Sequence, residues 1–532
     1  MTSRARRWLL SGLSMVSGCC AGLGFEPFNL WWLVPVAVAA FVCVNLASTP
    51  RTGLLRGYLF GFGFNAVAFH WVAVLGIWVL LVFVVWLAVW YGLVGLAVSL
   101  TRRTPVWGFV GVAVWMGAEW ISARWPFGGF GWGRLAFTAS RAPIGGLFPM
   151  VSVTGVSCLI VTIGFLMAWV ARGAWEWRKG RQGSAGAVPP RPLTVPVTVT
   201  VALVFGSTLG GLLAGGYDPA PDPRSVNVAV VQGNVPGSGI TALGPIYTVE
   251  NNHLAETIIL AAKARTGQVP QPDFVVWPEN STTTDPYTNQ RTTTIIDTAV
   301  DIARAPIFVG SITSGPGEDE RQTVGLWWTK DGVTGTYAKR NLVPFGEWVP
   351  FPSVMVKLVP ELAYVGAQSV PGTKPGVVDV EAGGGPLRVG DLICFEVAYD
   401  STVDDMLVGD ATTGGAQVVV VQTSNAMFTG TDQMVQQDAI TRIRAMESRR
   451  EILVSTTNSL AGLIDSHGRI VYEAELRTSD AQVFTVPVRT ALTPAVKYRG
   501  LFDLASVVLP LLGGAGALVR RWRSRSTTGE RA

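Results

Sequence analysis

Hydrophobic residues are unevenly distributed along the chain. Long apolar runs fill residues 8–214 and 500–519, whereas residues 225–490 mix short apolar and polar stretches as a water-soluble domain does. Each long run comes close to the roughly 20 residues that a helix needs to cross a bilayer. The predicted spans are Trp8–Phe25, Leu30–Ala47, Leu54–Val74, Ile77–Leu100, Val106–Ile121, Val151–Ala171, Leu193–Leu213 and Leu501–Val519.

These runs predict a multi-pass α-helical membrane domain of about eight spans and one large water-facing domain. The membrane domain is expected at 1–214, the soluble domain at 225–490, a C-terminal transmembrane helix at 500–519 and a basic cytoplasmic tail at 520–532. Composition agrees, because only 14% of the 532 residues are charged and 49% are hydrophobic, whereas soluble proteins carry about a quarter charged residues. The net charge of +5 does not indicate nucleic acid, since the basic residues lie in short loops beside apolar runs.

The basic loops predict the orientation. With the N-terminus inside, every second connection is basic, as the positive-inside rule requires. The inside residues are Arg51, Arg56, Arg102, Arg103, Arg172, Arg178, Lys179, Arg181, Arg520, Arg521, Arg523 and Arg525. Arg124, Arg134 and Arg141 break the pattern, in or after the Trp- and Gly-rich loop Trp120–Trp132. We therefore predict a protein of the cell membrane with cytoplasmic termini and an extracytoplasmic soluble domain.

The first run also has features of a signal peptide, because Arg4, Arg6 and Arg7 precede it. A second apolar run follows at once, so we expect a retained span.

Strands and helices alternate in the soluble domain, which predicts a layered α/β fold. The predicted strands are 226–232, 274–277, 306–311, 326–328, 334–338, 417–422, 452–457 and 461–464, with a further β-prone run that ends at Cys394. The predicted helices are 248–264, 295–303 and 432–447.

Cys394 is the only cysteine in the polar part of the chain, and Glu396 follows two residues later. A lone cysteine is usually a small buried hydrophobic residue. A strand that stops on a cysteine, however, puts the sulfur at a sheet edge, where a substrate can reach it.

Two other polar residues end strand-like runs, Glu279 and Lys339. Taken singly, Glu279 could be a helix N-terminal carboxylate and Lys339 a solvated strand end. Together with Cys394 they form a chemical set, because a carboxylate can take the thiol proton and an ammonium can stabilise thiolate and oxyanion. The N–H group of Phe395 could supply a second oxyanion donor.

The histidines argue against a Cys-His enzyme, because His70, His253 and His467 all lie outside these motifs. No His/Cys/Asp cluster has the spacing of metal ligands, so we expect no metal and no cofactor.

The three stretches resemble the Glu-Lys-Cys triad of the nitrilase (carbon–nitrogen hydrolase) superfamily. The whole chain resembles its membrane-embedded family, the apolipoprotein N-acyltransferases. The matching stretches are Phe25-Glu26-Pro27, Gln232 to Pro236, Leu342 to Pro350, Ser424 to Phe428 and Arg442 to Glu447. The resemblance implies an α-β-β-α nitrilase-like sandwich and a thioester intermediate.

The resemblance also implies residue roles. Glu279 would be the base, Lys339 the support of the oxyanion and thiolate, and Cys394 the nucleophile. Glu347 would orient the lysine, and Glu396 would be needed near the thiol. The chain departs from the family's frequent residues at Asn341, Phe395, Met427 and Gln437, which affects lipid selectivity and loop packing rather than the reaction class.

The stretch from 345 to 364 is apolar with few charges, and it holds Phe345, Trp348 and Phe351. It is either a loop packed inward or a lid that, with Met427, dips toward the bilayer and admits acyl chains. A soluble amidase needs no eight-span anchor, which favours a lipid substrate.

We therefore predict an acyltransferase that moves a phospholipid acyl chain through Cys394 to the N-terminal amine of a diacylated apolipoprotein. The first alternative is a membrane-tethered nitrilase-type amidase, in which water takes the acyl group. The second is a non-catalytic transporter or scaffold, against which the spans offer few ionisable groups, mainly His70 and Glu119.

Overall fold

The computed structural model describes residues 3–181, 193–237 and 244–529. The chain forms two compact units, one made of residues 1–217 and 498–532 and the other of residues 218–497. The first unit is helical and the second contains both sheets.

A helix forms at each predicted span of the first unit. These helices are α1 (Ser3–Gly22), α2 (Leu33–Leu46), α3 (Pro50–Ala68), α4 (Ile77–Thr101), α5 (Trp107–Ser122), α6 (Phe148–Arg181, with a kink at Ser152), α7 (Thr194–Ala214) and α14 (Arg499–Gly529). Among the described residues, four helical stretches are long and apolar enough to cross a membrane: Ile77–Thr101, Pro143–Arg178, Thr194–Ala214 and Arg499–Val519. The count of about eight spans therefore stays a prediction.

The second unit is a sandwich of two sheets with helices outside. The strands are β1 (Ser225–Gln232), β2 (Phe274–Val276), β3 (Ile307–Ser314), β4 (Glu320–Thr329), β5 (Gly332–Ala338), β6 (Gln368–Ser369), β7 (Val377–Ala382), β8 (Gly385–Ile393), β9 (Val418–Thr423), β10 (Ile452–Thr456), β11 (Gly462–Ile464), β12 (Ile470–Glu473) and β13 (Asp480–Pro487). The helices are α8 (Thr248–Arg265), α9 (Gln290–Ala303), α10 (Pro352–Leu358), α11 (Asp400–Val408), α12 (Gln433–Ser448) and α13 (Pro494–Lys497).

The first sheet has the strand order β13-β1-β2-β3-β4-β5, with β6 paired to β4, and the second has the order β12-β11-β10-β9-β8-β7. Alternate residues of the facing strands, such as Val228, Val230, Val389 and Val420, fill an apolar core between the sheets. The other face of the first sheet packs on α8 and α9. On the far side of the second sheet, Gly390 leaves room for Met406 of α11.

Polar side chains join the sheets at one end of the sandwich. Gln422 donates from Nε2 to the carbonyl oxygens of Trp277 (2.6 Å) and Phe308 (3.1 Å). Ser455 donates to the carbonyl oxygens of Val231 (3.1 Å) and Val276 (3.3 Å). These bonds hold the two sheets together where the parallel strands end. They also supply partners to buried polar groups, which nearly always form hydrogen bonds in folded proteins.

Candidate active site

The strand directions bring Glu279, Lys339 and Cys394 to one edge of the sandwich. Strands β1, β2 and β3 are parallel, and β5 runs in the same direction because β4 is antiparallel to both β3 and β5. In the second sheet β8, β9 and β10 are parallel. Each of the three residues follows the carboxyl end of its strand, β2, β5 or β8, at the end where the sheets are joined.

Cys394 occupies a backbone conformation that L-residues rarely adopt. Strand β8 ends at Ile393, and Cys394 has a φ of 55° before a short 3₁₀ turn through Ala398. Such a conformation costs of order 1–3 kcal/mol and is common at functional sites. It turns the thiol out of the strand, where the residue is a half-buried free cysteine.

Lys339 lies between two carboxylates. Its Nζ is 2.9 Å from Glu279 Oε1 and 2.7 Å from Glu347 Oε1, and only 1% of its surface is exposed. The second oxygen of Glu279 accepts from the N–H of Ser424 at 2.8 Å. Glu347 Oε2 accepts from the N–H of Val343 at 2.7 Å. Both carboxylates are therefore fixed by the backbone, and they hold the ammonium in one position.

Burial, more than the charges around it, keeps the Cys394 thiol protonated. Burial raises the pKa of Cys394 to about 12, with Glu279 adding to the rise and Lys339 opposing it. Burial disfavours the ammonium of Lys339, but Glu279 and Glu347 outweigh this, and its pKa lies well above the usual value. Burial also raises the pKa of Glu279, and Lys339 offsets part of that rise. These shifts favour a neutral Cys394 thiol and a charged Lys339 ammonium at rest.

Glu396 braces the turn that bears Cys394 against the segment that bears Lys339. Its oxygens accept from the Tyr337 hydroxyl (2.9 Å) and from the backbone N–H groups of Arg340 (2.6 Å), Asn341 (3.1 Å) and Ile393 (2.9 Å). These donors lie on both sides of Lys339 and directly before Cys394. Glu396 therefore locks the ends of β5 and β8 together, and donors occupy both of its oxygens.

The departures from the family pattern have defined contacts here. Asn341 accepts a hydrogen bond from the Thr402 hydroxyl. Phe395 packs edge-on against Tyr399, with ring centroids 5.1 Å apart. Gln437 donates to the hydroxyl of Thr423.

Most of the apolar stretch after Lys339 is exposed, although Val349 within it is buried. Helix α10 has no buried residue. Phe345 and Phe351 are 42% and 69% exposed and have left-handed backbone conformations. Trp348 is half-buried, and Met427, in a short 3₁₀ turn of the same unit, is exposed. We call residues 345–358 the apolar loop.

Sequence reasoning missed Arg444, whose side chain is 1% exposed. Its guanidinium donates to the carbonyl oxygen of Val397 and pairs with Asp400 (2.7 Å) and Glu447 (2.6 Å). This arginine ties the turn after Cys394 to α12. Arg444 lies within Arg442 to Glu447, one of the stretches that resemble the family, so the sequence pointed to this region.

Asp391 and Thr423 were also missed. Asp391 is completely buried, and neither of its carboxyl oxygens has a hydrogen-bond partner among the described residues. Thr423 ends β9, the strand that pairs in parallel with β8. Both lie in β-prone runs, where sequence alone assigns them only to a strand.

Two family models match the chain. The apolipoprotein N-acyltransferase N-terminal domain matches residues 17–166, and the carbon-nitrogen hydrolase domain matches residues 227–498. The second match includes Glu279, Lys339 and Cys394.

Curated relatives align over nearly the whole length. A protein named apolipoprotein N-acyltransferase from Mycolicibacterium smegmatis is 30% identical, over 94% of this chain and 83% of its own. Proteins of the same name from Coxiella burnetii and Chromobacterium violaceum are 26% and 25% identical, over 94% and 97% of this chain and 99% and 94% of their own. The similarity thus spans the helical unit and the sandwich together.

Proposed function

The chain belongs to the apolipoprotein N-acyltransferase family, and from this premise we propose that Cys394 carries a phospholipid acyl chain to an apolipoprotein. The acceptor is the α-amino group of the diacylglyceryl-cysteine at the apolipoprotein N-terminus. Membership makes the chain an acyltransferase of lipoprotein biosynthesis. The observation that best supports this proposal is the Glu279–Lys339–Glu347 cluster. It lies beside the Cys394 thiol at the edge of the sandwich.

In the first half-reaction the sulfur attacks the ester carbonyl carbon of the phospholipid. Because the thiol is protonated at rest, Glu279 takes its proton as the carbon–sulfur bond forms. The oxyanion is stabilised by Lys339 and the N–H of Phe395. The ester carbon–oxygen bond then breaks, and Glu279 returns the proton to the departing lysophospholipid alcohol, which leaves a thioester.

In the second half-reaction the α-amine attacks the thioester carbonyl carbon. Glu279 takes a proton from the nitrogen and returns it to the leaving sulfur, so the site is restored. Lys339 carries no proton in either half and stays charged, as its two carboxylate contacts favour. Glu347 holds the lysine, and Glu396 holds the turn that bears the nucleophile.

The apolar loop suits a lipid donor. Phe351 and Leu358 are 69% and 71% exposed, and residues of this kind stabilise a protein surface at a bilayer interface. We propose that the loop, with Phe345, Trp348 and Met427, admits acyl chains to Cys394.

We also propose the location. Residues 1–214 and 500–519 form a membrane domain of about eight spans, residues 225–490 catalyse outside the membrane, and 520–532 form a cytoplasmic tail. Four apolar stretches long enough to cross a membrane support this location in the bacterial cell membrane.

Mass spectrometry of the intact protein tests the proposal. Mixed with phospholipid vesicles, the wild type should gain one acyl mass and release one equivalent of lysophospholipid. Cys394→Ala should gain none. A diacylglyceryl-cysteine peptide should then discharge the acyl mass onto its amine.

The alternatives give other results in that experiment. An amidase or lipase would release fatty acid over many turnovers without the peptide. A transporter or scaffold would gain no acyl mass. Either outcome would overturn the acyltransferase mechanism proposed for Cys394.

A further inference from the structure

A buried carboxylate of the helical unit lies in a cavity that the proposed reaction does not use. Glu119 is on α5, three residues before the helix ends at Ser122, and it is 6% exposed. Its Oε1 accepts from Trp115 Nε1 at 3.2 Å and from the N–H of Leu135 at 3.3 Å. Its Oε2 is buried and has no hydrogen-bond partner among the described residues. An ionisable group inside a membrane domain is costly, and such groups usually mark a functional site.

Two neighbouring groups, Arg134 and Ser157, act on the charge of Glu119 but leave Oε2 without a hydrogen bond. Arg134 donates to the Thr154 hydroxyl at 2.6 Å. The Ser157 hydroxyl accepts from the N–H of Ala136 at 3.0 Å. The remaining oxygen of the carboxylate can therefore accept from a ligand.

The cavity beside Glu119 has aromatic walls. Its lining residues come from α3, α4, α5 and the loop after α5, and five of them are aromatic: Phe69, Trp90, Tyr91, Trp115 and Phe130. Edge-to-face contacts fix these rings, with centroids 5.0 Å apart for Phe69 and Phe130 and 5.5 Å apart for Tyr91 and Trp115. Aromatic rings and a carboxylate together suit a cation, because ring faces and carboxylate are both negative.

The other polar groups of the cavity narrow the chemistry of the ligand. Asn65 donates from Nδ2 to the carbonyl oxygen of Gly61 at 2.7 Å, which leaves its Oδ1 as a second acceptor on the wall. Trp90 Nε1 is a buried donor without a partner in the described part of the chain. An ammonium group has three donors and no acceptor, so it matches Glu119 and Asn65 but not Trp90. A ligand with an oxygen near its ammonium matches all three.

The size of the cavity limits the ligand further. Its volume is about 20 Å³, counted as the space open to the centre of a water-sized group, and one such group needs roughly 10–15 Å³. A primary ammonium is about that size. A trimethylammonium group carries three additional methyl groups and is too large.

We propose that this cavity, which we call the Glu119 cavity, binds a primary ammonium with an oxygen nearby, as in ethanolamine. The ammonium donates to Glu119 Oε2 and Asn65 Oδ1 and lies against the aromatic rings, and the oxygen accepts from Trp90 Nε1. An ethanolamine lipid headgroup and a free amino alcohol share this chemistry. The site lies wholly within the helical unit and uses no thiol, so it is independent of the role proposed for Cys394.

Thermal unfolding of the full-length protein in detergent tests the proposal. A ligand that binds only the folded protein raises the midpoint of unfolding, so ethanolamine hydrochloride should raise that of the wild type. Sodium chloride and tetramethylammonium chloride at the same concentration should raise it less, because neither supplies an ammonium donor. Equal responses to ethanolamine and tetramethylammonium would overturn the proposal. No response to ethanolamine would overturn it too, since the cavity would then hold only water.

Glu119→Gln keeps the size of the side chain and removes its charge. We expect its affinity for ethanolamine, read from the concentration dependence of the midpoint, to fall about tenfold or more, as for loss of a hydrogen bond to a charged group. Glu176→Gln is the matched control, because it removes an exposed carboxylate of the same unit and should respond as the wild type does. Unchanged affinity in Glu119→Gln would contradict the site.

Trp90→Phe tests the oxygen contact and remains informative if Glu119→Gln does not fold. It keeps an aromatic ring and removes the N–H group. Affinity for ethanolamine should fall severalfold, whereas ethylamine, which has no oxygen, should bind this variant and the wild type alike. Equal losses for the two amines would overturn the assignment of Trp90.

Native mass spectrometry identifies the source of the ammonium. The Cys394→Ala protein, which cannot form the proposed thioester, is mixed in detergent with phosphatidylethanolamine or phosphatidylcholine. Greater retention of phosphatidylethanolamine, lost when Glu119→Gln is added, would assign the site to a lipid headgroup. Equal retention together with stabilisation by ethanolamine would assign it to a free amino alcohol. Acylation of Cys394 in the wild type is measured separately, so either proposal can fail while the other stands.

Discussion

Glu279 and Lys339 act on the same sulfur in opposite directions. Burial is the largest cause of the raised pKa of the Cys394 thiol. Glu279 raises this pKa further, and Lys339 lowers it. A carboxylate that disfavours the thiolate is useful only if it takes the proton itself. The site thus predicts that loss of either residue slows acylation, whereas alkylation of Cys394 should become faster without Glu279 and slower without Lys339.

We expect Glu279→Gln to separate these two reactivities. Acylation by phospholipid should fall by about 10²–10⁴-fold, the usual contribution of a general base. Alkylation of Cys394 by iodoacetamide at pH 8 should become faster, because a carboxylate that opposes the thiolate is gone. Both rates are measured by mass spectrometry.

Lys339→Met provides the matched contrast. Acylation should fall by about 10²–10³-fold, as for loss of an oxyanion donor, and alkylation should also become slower. Acylation at the wild-type rate in Glu279→Gln would rule that residue out as the base.

Asp391 is a further buried carboxyl at this end of the core, besides Glu279 and Glu396. Burial, and then Glu396 and Glu279, hold its pKa well above the usual value. Within the described part of the chain, neither Asp391 Oδ2 nor Gln422 Oε1 has a partner, and a Cβ at Gly325 would collide with both. A neutral carboxylic acid can donate to that amide oxygen, whereas a carboxylate cannot.

Because Asp391 is protonated in the folded protein, the free energy of unfolding depends on pH, and the direction of that dependence follows from the raised pKa. In the unfolded chain the pKa is about 3.9, and in the folded chain it is higher, so the folded state binds the extra proton. Stability is therefore fully present below about pH 4 and is lost as pH rises through the folded pKa. The amide of an Asp391→Asn variant does not titrate, so this loss would be absent, and its NH₂ group could donate to Gln422.

We expect Asp391→Asn to raise the midpoint of thermal unfolding more at pH 8 than at pH 5. Intrinsic tryptophan fluorescence of the detergent-solubilised protein follows the transition. Asp379→Asn, on an exposed position of the adjacent strand β7, is the control and should show the same difference at both pH values. An equal change at both pH values in Asp391→Asn would contradict a protonated Asp391.

At the scale of elements, periodicity predicted most of the sandwich. The runs at 226–232, 452–457 and 461–464 form β1, β10 and β11 within a residue or two. β7 and β13 were missed, although Val377 to Ala382 alternates buried and exposed residues as an edge strand does. Helix α11 was missed because its nine residues carry three aspartates and little apolar pattern.

The site was predictable only as a set of strand ends. Sequence placed Glu279, Lys339 and Cys394 at such ends, because each follows an apolar run and ends it with a polar residue. It could not place Gln422 across from Trp277 and Phe308, since the register between two stacked sheets depends on tertiary packing. For the same reason the surroundings of Asp391 and Thr423 could not be predicted.

The apolar loop gives a prediction at the element scale. Phe351→Ser with Leu358→Ser should raise the KM for vesicle phospholipid severalfold, because the two side chains are exposed and can meet lipid rather than the core. Their exposure also means that stability should change by less than about 0.5 kcal/mol each. Lysophospholipid release from vesicles measures the effect.

Alkylation of Cys394 by iodoacetamide is the control reaction for this double variant and should be unchanged. Val471→Ser, at a 59% exposed position of β12, is the control variant and should keep the wild-type KM. Joint loss of alkylation and acylation in the double variant would mean that the loop is structural. Acylation by phospholipid and alkylation by iodoacetamide test Trp348→Ala in the same way, and loss of both would again mean that the loop is structural.

At the scale of the whole molecule, the arginines of the helical unit form two groups. Arg56 and Arg102 both donate to Ser48, to its hydroxyl and its carbonyl oxygen, and Arg172 donates to the carbonyl oxygen of Arg102 at 3.0 Å. These residues belong to the loops and helix ends predicted to face the cytoplasm. The contacts of Arg56 and Arg102 with Ser48, and of Arg172 with Arg102, support a shared side.

The arginines that broke the predicted pattern have acidic or polar partners. Arg124 is 3.3 Å from Asp503, and Arg141 is 3.1 Å from Glu26. Arg134 donates to the hydroxyl of Thr154, which itself donates to Asp503. A paired arginine costs less to move across a membrane than a free one, so these three are weak evidence against the predicted orientation.

The orientation gives a prediction for reporter fusions. Fusions after Ser184 and Ser238, both outside the described residues, should report opposite sides of the membrane, with Ser184 in the cytoplasm. α7 is the apolar helix between them, 21 residues long and without a charged residue, so it can cross the bilayer fully. Two fusions on the same side would mean that the orientation or the number of spans is wrong.

The ion pairs of the helical unit give the last prediction. Replacing Asp503 and Glu26 with alanine would remove the acidic partners of Arg124 and Arg141. If pairing is what allows these arginines to lie outside, that double variant should insert less efficiently than the wild type, as measured by the yield of protein in the membrane fraction. Glu176→Ala is the control and should insert normally, since its ion pair with Arg172 lies on the predicted inner side. Equal yields from the double variant and the wild type would show that the outer arginines need no acidic partner to cross.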